Sequence, residues 1–470
     1  MINIYFKIIR RQGEIIINNL QISKICKGTE LTNNYNYFIN NFVIDSRNVQ
    51  KGDCFIAIKG ENNNGNLYVE AALKNGASAC IVDEMPDEEI INNYRDREII
   101  LVKDSIKALQ DLATYKRSLY KIPVVAVTGS VGKTSTKDII ASVLNEKYNV
   151  LKTEGNFNNH IGLPLTILDL NNDSDMLVVE MGMNHFNEIS YLTNITMPNV
   201  AVITNVGTAH IGNLGSRENI LKAKLEILEG LDKDGIVVIN NDNDLLHDWY
   251  LNNKNNYNIK TFGINSDSDY KAYDIKANEN EISFKCNNEE YLIPVGSEVF
   301  VYNALAAIAV GDYFKVDINN IQKGIKDFEV SSNRMNIINK NDITIIDDCY
   351  NANFDSVKYA IKYLGSISSR KIAVIGTMLE LGDYSKELHE ALGDVIYDEN
   401  IDILITVGDY TGLINKKAEE LGLKKDNSYQ YKTNKEAIDK IKEILKKDDT
   451  ILIKASYSMN FKEIVDALTN

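Results

Sequence analysis

Two glycines, a lysine and three hydroxyl side chains are crowded into the seven residues Gly129-Ser-Val-Gly-Lys-Thr-Ser135. An apolar run, 124–127, precedes them and a helix-forming stretch follows, the context in which a loop turns successive backbone N–H groups toward one anion at a helix N-terminus. In that chemistry Gly129 and Gly132 let the chain turn, the N–H groups of Ser130, Val131 and Ser135 belong to the cradle, Lys133 reaches the β- and γ-phosphates, and the Thr134 hydroxyl can ligate magnesium. The spacing is G-x-x-G-K-T, because Val127 stands where the longer general motif puts its first glycine. The competing account is a strand-to-helix turn that merely contains Gly and Lys. The flanking elements and the Lys-Thr pair weigh against it. A second quartet, Asn339-Lys-Asn-Asp342, matches the N-K-x-D pattern of guanine readers. It sits between two apolar runs and reads better as a turn joining two strands, so ATP is expected rather than GTP.

Three further segments end apolar runs on polar residues, where open α/β sheets place their ligands. Met176-Leu-Val-Val-Glu-Met-Gly182 offers Glu180 as a carboxylate for magnesium, against the plainer alternative of a solvated strand end. Val202-Ile-Thr-Asn-Val-Gly-Thr-Ala-His210 offers Asn205 and His210, although a lone histidine is more often structural than a ligand. In Asn219-Ile-Leu-Lys-Ala-Lys-Leu-Glu-Ile227 the lysines read, on pattern alone, as the solvated face of a helix.

The elements that must position these residues follow from apolar patterning. Between 42 and 121, short apolar runs (55–58, 79–82, 99–102) alternate with helix-like stretches such as 67–75, the pattern of a small α/β domain. From 122 onward the runs 124–127, 176–179, 200–203 and 236–239 are continuous rather than alternating, as parallel strands buried on both faces are, with helical segments between them. The runs 282–285 and 291–295 suggest an antiparallel pair, and 303–314 a buried helix. A third set, 343–346, 372–375, 401–407 and 450–454, repeats the α/β alternation, and the polar stretch 329–333 is the expected linker and hinge. For 470 residues, a prior of ~150 residues per domain predicts about three domains. Their bounds are placed at 1–121, 122–330 and 331–470.

Composition narrows the partners. A formal charge of −15 argues against nonspecific binding to nucleic acid or to an anionic membrane. Anionic small substrates then require a local cluster of donors. No apolar run reaches the ~18 residues of a membrane span, and no export signal precedes the first domain. The five cysteines (Cys26, Cys54, Cys80, Cys286, Cys349) are scattered and form no C-x-x-C pair, which points to a reducing cytoplasm rather than a disulfide framework or a zinc site.

Taken in order, these segments resemble those of the Mur ligases over nearly all of the chain from about Asp45, and within the family those of the members that add D-alanyl-D-alanine. Asp45-Ser-Arg47 and Gly52-Asp-Cys-Phe-Ile-Ala-Ile-Lys-Gly60 look like the family's uridine-nucleotide recognition region, and Thr128-Gly-Ser-Val-Gly-Lys-Thr-Ser135 matches its short phosphate loop. Gly155-Asn-Phe-Asn-Asn159 with Ile161-Gly-Leu-Pro164, Glu180-Met-Gly182 with Asn184-His185, Asp347-Asp-Cys-Tyr-Asn-Ala-Asn353, and Met378-Leu-Glu-Leu-Gly382 with Ser385, Leu388 and His389 are the most specific signals. The chain departs from the family pattern in places: Val299-Phe300 replaces His-Asn, Asn333 a glycine, Phe354 and Phe186 prolines, Thr377 an acid, and Tyr457, in Lys454-Ala-Ser-Tyr457, an arginine.

The resemblance implies an α/β fold of three-domain Mur ligase architecture: an N-terminal UDP-substrate domain, a central P-loop parallel-sheet domain that binds ATP, and a Rossmann-like C-terminal domain for the incoming dipeptide. It implies an ATP-dependent amide ligase of peptidoglycan synthesis that joins UDP-N-acetylmuramoyl-tripeptide to D-alanyl-D-alanine through an acyl phosphate, as a cytoplasmic monomer. By position, Thr134, Glu180, His210 and Lys224 become ligands of two magnesium ions, Lys224 after carbamylation. Lys133, Lys224 and His210 become catalytic, Asn303, Arg334 and Asp348 nucleotide contacts, and Ser46, Arg47, Asn158 and Asn159 substrate contacts. Two alternatives remain beside this expectation: a family paralogue with another amino acceptor, and a nucleotide-binding regulatory protein without ligase activity.

Overall fold

The computed structural model describes residues 9–11, 14–16, 19–32, 38–330 and 334–469. Residues 331–333, the end of the expected linker, and most of the first 18 residues lie outside that set. The chain divides into two compact units, Met1–Ala126 with Tyr148–Gly182 and Ser190–Asn199, and Val127–Lys147 with Met183–Ile189 and Val200–Asn470.

In the first unit a five-stranded sheet has the order Thr29–Glu30, Glu98–Leu101, Ala79–Val82, Cys54–Ile56, Phe42–Val43. It is parallel except for the first pair. Its central strands are buried along their length, as continuous apolar runs require. The helical stretch expected at 67–75 splits into a 3-10 turn, Gly65–Tyr68, and a short α-helix, Val69–Lys74, which buries Val69, Ala72 and Leu73. Elsewhere in the unit Met176–Glu180 pairs in parallel with Val150–Lys152.

The strand Val124–Thr128 begins in the first unit and ends in the second. In the second unit the parallel order continues through Val200–Ile203, Ile236–Asn240, Asn258–Gly263 and Tyr270–Lys271. Every residue of Val124–Thr128, Val200–Ile203 and Ile236–Asn240 is buried. Helix Lys133–Asn145 follows the glycine loop and buries Ile139, Ile140, Val143 and Leu144. The expected antiparallel pair is Ile282–Cys286 with Glu289–Ile293, joined by a third strand, Tyr273–Ala277. The buried helix runs from Val299 to Tyr313, four residues earlier than its pattern suggested.

A second sheet in this unit has the order Asn336–Lys340, Ile343–Asp347, Thr450–Lys454, Lys371–Gly376, Ile403–Val407, Ser428–Tyr431 and is parallel except for its first pair. That first pair is a hairpin turning at Asn341 and Asp342, both in left-handed conformation (φ 53° and 60°). This is the backbone of a two-residue hairpin turn, in which Asn and Asp tolerate positive φ. The guanine-reader quartet is therefore a turn, as its placement suggested. Asp342→Gly, which creates the Asn-Gly pair such turns favour, is expected to leave nucleotide preference unchanged and the melting temperature equal or higher. A switch in the preference for ATP over GTP would restore the quartet as a base reader.

Candidate active site

In the second unit the glycine loop is shaped by the segment after Val200–Ile203. Gly129 has φ +154°, and a Cβ there would fall 1.9 Å from Thr204 Oγ1. Thr204 donates that hydroxyl to Val131 O at 2.6 Å. Asn205 Oδ1 accepts the N–H groups of Ser130 (3.0 Å) and Val131 (2.9 Å), and Gly207 N–H donates to Ser130 Oγ at 2.9 Å. Gly132, φ +81°, caps the helix start, and a Cβ there would lie 3.0 Å from Asn303 Oδ1. Two of the loop's early N–H donors are thus spent on shaping the loop. The helix N-terminus, with Lys133, Thr134 and Ser135 in its first turn, carries the positive end of the helix dipole, which favours an anion. Lys133 Nζ donates to Gly129 O at 2.9 Å, folded back over its own loop.

Asn303, a buried amide in helix Val299–Tyr313, accepts the Thr136 hydroxyl at 3.0 Å. It lines a narrow cleft, partly open to solvent, with Val131, Asn205, Val299, Tyr302 and Tyr359. Aromatic walls with a few convergent amides are the usual lining for a flat heteroaromatic ligand. Val299, at one of the departures, lines the cleft with its apolar side chain.

Lys224 overturns its expectation as part of a solvated face. It is only 2% exposed near the end of helix Arg217–Leu225, whereas Lys222 is exposed. Burial, with the neighbouring charge of Lys133, pushes its ammonium pKa well below the ordinary lysine value. His210 caps helix Ile211–Leu214 in left-handed conformation (φ 62°). Its Nδ1 lies 2.6 Å from Glu380 Oε2, close enough for an ion pair but not aligned as a hydrogen bond. The His210 contact holds the Glu380 carboxyl below the usual range, and Lys133 adds to the effect. Beside the loop, Lys133 is thus near both Lys224 and Glu380, and Glu380 contacts His210. Glu380 reaches this group from the loop after Lys371–Gly376; it lies in the stretch Met378–Gly382 that carries the family resemblance, but pattern reading does not assign it to the site.

Arg334 places its guanidinium 4.0 Å from the ring centre of Tyr350, and Tyr457 lies beyond that ring with centroids 6.3 Å apart. Stacking uses the guanidinium face and leaves the in-plane N–H donors available. Asp348 is more constrained: Oδ2 accepts Lys454 Nζ at 2.5 Å and Oδ1 accepts Met335 N–H at 3.2 Å. A ribose hydroxyl would have to share the lone pairs that remain.

In the first unit Glu180 is 1% exposed and accepts Asn158 Nδ2 at 2.7 Å, while its own N–H donates to Thr153 Oγ1 at 3.1 Å. A buried carboxylate at a strand end, rather than a solvated one, is the outcome there. Asn159 Oδ1 accepts the N–H groups of Ile161 and Gly162 at 3.0 and 2.9 Å, so its carbonyl is committed to starting helix Gly162–Leu168. Ser46 is buried, and Arg47 is exposed and paired with Asp45 at 2.6 Å. The hydrogen bonds from Arg47 hold the Asp45 carboxyl at about 2.

The comparisons with known proteins agree over all of these regions. Three family profiles match: Mur ligase family, catalytic domain, over residues 38–117; Mur ligase middle domain over 127–311; and Mur ligase, glutamate ligase domain over 333–457. The UDP-N-acetylmuramoyl-tripeptide--D-alanyl-D-alanine ligase of Bacillus subtilis is 38% identical over 95% of this chain and 97% of its own length, and that of Rickettsia prowazekii 35% over 96% and 99%. Among solved structures, MurF from Acinetobacter baumannii superposes with a TM-score of 0.86 at 29% identity, covering 96% of this chain and 98% of that one. MurF ligase from Thermotoga maritima in complex with ADP gives 0.77 at 30%, covering 91% and 96%. The fold is the three-domain Mur ligase architecture, and the chemistry of such a site is that of an ATP-dependent ligase. The chain belongs to the Mur ligase family. Among the described residues no helix is long and apolar enough to cross a membrane.

Helix Ser385–Asp398 carries a buried imidazole. His389 is fully buried; its Nε2 accepts the Met378 N–H at 3.0 Å and its Nδ1 faces Ser385 O at 2.6 Å. These contacts define the neutral ring with the proton on Nδ1. Burial lowers its pKa from the ordinary value of 6.5. The unfolded chain then binds the extra proton at higher pH than the folded chain, so this stabilisation is full above pH 6.5 and is lost as pH falls toward the depressed folded value. The melting-temperature advantage of wild type over His389→Gln should therefore shrink between pH 7 and pH 5. A constant gap would remove the neutral-histidine assignment.

Proposed function

We propose that this chain adds D-alanyl-D-alanine to UDP-N-acetylmuramoyl-tripeptide, using ATP, in peptidoglycan synthesis. Near-full-length likeness to ligases of that name supports it. The observation in the fold that carries it is the buried Lys224 beside Lys133 at the mouth of a constrained glycine loop. The bounds we assign are 1–121 for the UDP-substrate domain, 122–330 for the ATP domain and 331–470 for the dipeptide domain, the whole working as a cytoplasmic monomer.

ATP is held with its phosphates at the N-terminus of helix Lys133–Asn145 and its base in the cleft beside Asn303. Lys133 exchanges the Gly129 carbonyl for a phosphate oxygen, a stronger acceptor. Arg334, held by its stacked face, presents its edge to the same phosphates, with Asp348 beside it for the ribose. Ser46, Arg47, Asn158 and Asn159 face the UDP-linked substrate.

Among the described residues no three His, Cys, Asp or Glu side chains form a preformed metal cage. Magnesium commonly binds through one or two protein groups and completes its shell with phosphate oxygens and water. The residues fit that use: Glu180 is a buried carboxylate, His210 carries a buried ring nitrogen, and Thr134 is a buried hydroxyl in the first helical turn. These three, with Lys224, would hold two magnesium ions, which neutralise developing phosphate charge. Lys224 fits carbamylation: its lowered pKa leaves the neutral amine whose nitrogen bonds to carbon dioxide, and loss of a proton then gives an anion in place of a cation.

The remaining chemistry is alignment and charge neutralisation. An oxygen of the tripeptide carboxylate bonds to the γ-phosphorus as ADP leaves. The dipeptide amine then bonds to the acyl carbon, and phosphate leaves in place of the oxide that a free carboxylate would have to expel.

ADP release measured with the UDP-linked tripeptide should depend on D-alanyl-D-alanine. Lys133→Ala should reduce turnover by at least about 100-fold, and Lys224→Ala should be partly restored by added short carboxylates. ADP release with a different amine alone would transfer the protein to another acceptor. Full activity of Lys224→Ala would remove the carbamate.

A further inference from the structure

The segment 204–208 that shapes the glycine loop is itself gripped from outside by helix Phe354–Gly365. This helix starts with a reciprocal cap between Asn353 and Ser356, so its first turn is already satisfied locally. Asp355, in that turn, sends its carboxylate elsewhere: Oδ2 accepts both the N–H and the hydroxyl of Thr208, at 2.6 and 2.8 Å. Gly207 is the only residue type that admits this approach, because a Cβ on it would fall 2.2 Å from Asp355 Oδ2 and 2.7 Å from Asp355 Cγ. Two residues earlier in the segment Arg217 donates to Val206 O at 2.9 Å, and Asn243 Nδ2 to the same oxygen at 3.1 Å. These fix the other side of the turn. Inward, the same segment binds the loop through Gly207 N–H to Ser130 Oγ, Asn205 Oδ1 to the N–H groups of Ser130 and Val131, and Thr204 Oγ1 to Val131 O.

We propose that Asp355 is a positioning residue that ties the shape of the phosphate loop to the seating of helix Phe354–Gly365, through the relay Asp355, Gly207-Thr208, Asn205 and Ser130. Asp355 bonds to Thr208 rather than to the glycine loop. It acts by fixing the segment whose amide and backbone groups hold Ser130 and Val131 in place. The same helix follows the loop that carries Asp348 and Tyr350, the latter stacked under Arg334, so seating it both brings those groups in and completes the loop. The proposal rests on the assignment of Gly129–Ser135 to ATP phosphates, and its test separates the two.

Hydrogen–deuterium exchange on the unliganded full chain is the first arm. Asp355→Ala should accelerate exchange not only around Thr208 but also in peptides covering 127–135, which Asp355 does not contact. Asp355→Asn, which keeps an acceptor oxygen, should change little. In the second arm, Asp355→Ala should raise the KM for ATP about tenfold, as loss of a charge-assisted hydrogen bond does, with kcat less affected. Binding of the non-hydrolysable analogue AMPPNP should weaken in parallel. Third, Gly207→Ala should be damaging alone and milder in combination with Asp355→Ala, since the second change removes the clash. Faster exchange confined to 204–210 and 353–357, or an additive Gly207/Asp355 pair, would overturn the relay. If wild type fails to bind AMPPNP the ATP assignment falls, while the exchange arm still decides whether the relay exists.

Discussion

Almost everything in the second unit depends on one side-chain amide doing backbone work. A glycine loop with positive φ at two positions has no regular hydrogen-bond partner for its first N–H groups, and buried donors left unpaired would cost about 1–3 kcal/mol each. Asn205 Oδ1 accepts two of them, and Thr204 satisfies the Val131 carbonyl. The loop therefore holds its curvature before any phosphate arrives. Pre-shaping of this kind lowers the ordering cost of binding. It also makes the loop hostage to whatever fixes residues 204–208, which is why groups distant in sequence matter to it.

The charged group beside the loop is expensive to keep. Lys224 is buried next to Lys133, and a like charge and poor solvation both disfavour the ammonium form. Glu380 supplies an opposite charge near Lys133, and burial shifts Lys224 toward its neutral form. That is a chemical statement as well as an energetic one. An amine shifted toward its neutral form is a better nucleophile than an exposed lysine, which is almost wholly protonated at neutral pH. The same burial that makes the site costly makes it reactive.

The parallel strands were legible because burial on both faces demands unbroken apolar runs: 79–82, 200–203 and 450–454 coincide with strands of the structure. The glycine loop was legible because its residue types do one job in one order. The burial of Lys224 and of Glu180 was not, since sequence pattern gives a residue's neighbours along the helix or strand and not what packs over them. Asn303 posed the same difficulty, and only the family likeness singled it out. Asp355 and Glu380 lay beyond reach for a further reason. Their partners, Thr208 and His210, are 147 and 170 residues away, and neither pair leaves a local trace.

Asn303 shows how these constraints combine. Helix Val299–Tyr313 is apolar nearly all round, so an amide at its centre would be a liability unless each polar atom were used. Its Oδ1 accepts the Thr136 hydroxyl and packs against Gly132, so the same side chain braces the start of helix Lys133–Asn145 and crowds the loop's last glycine, whose φ of +81° already disfavours a larger residue. The amide also borders the cleft that faces Val131 and Asn205. A base bound there would therefore rest on the groups that set the loop's curvature, and recognition of the base and placement of the phosphates would be one mechanical problem rather than two. This accounts for how a chain with a net charge of −15 can gather an anionic nucleotide. Attraction over distance is not needed when donors are few, local and already aimed.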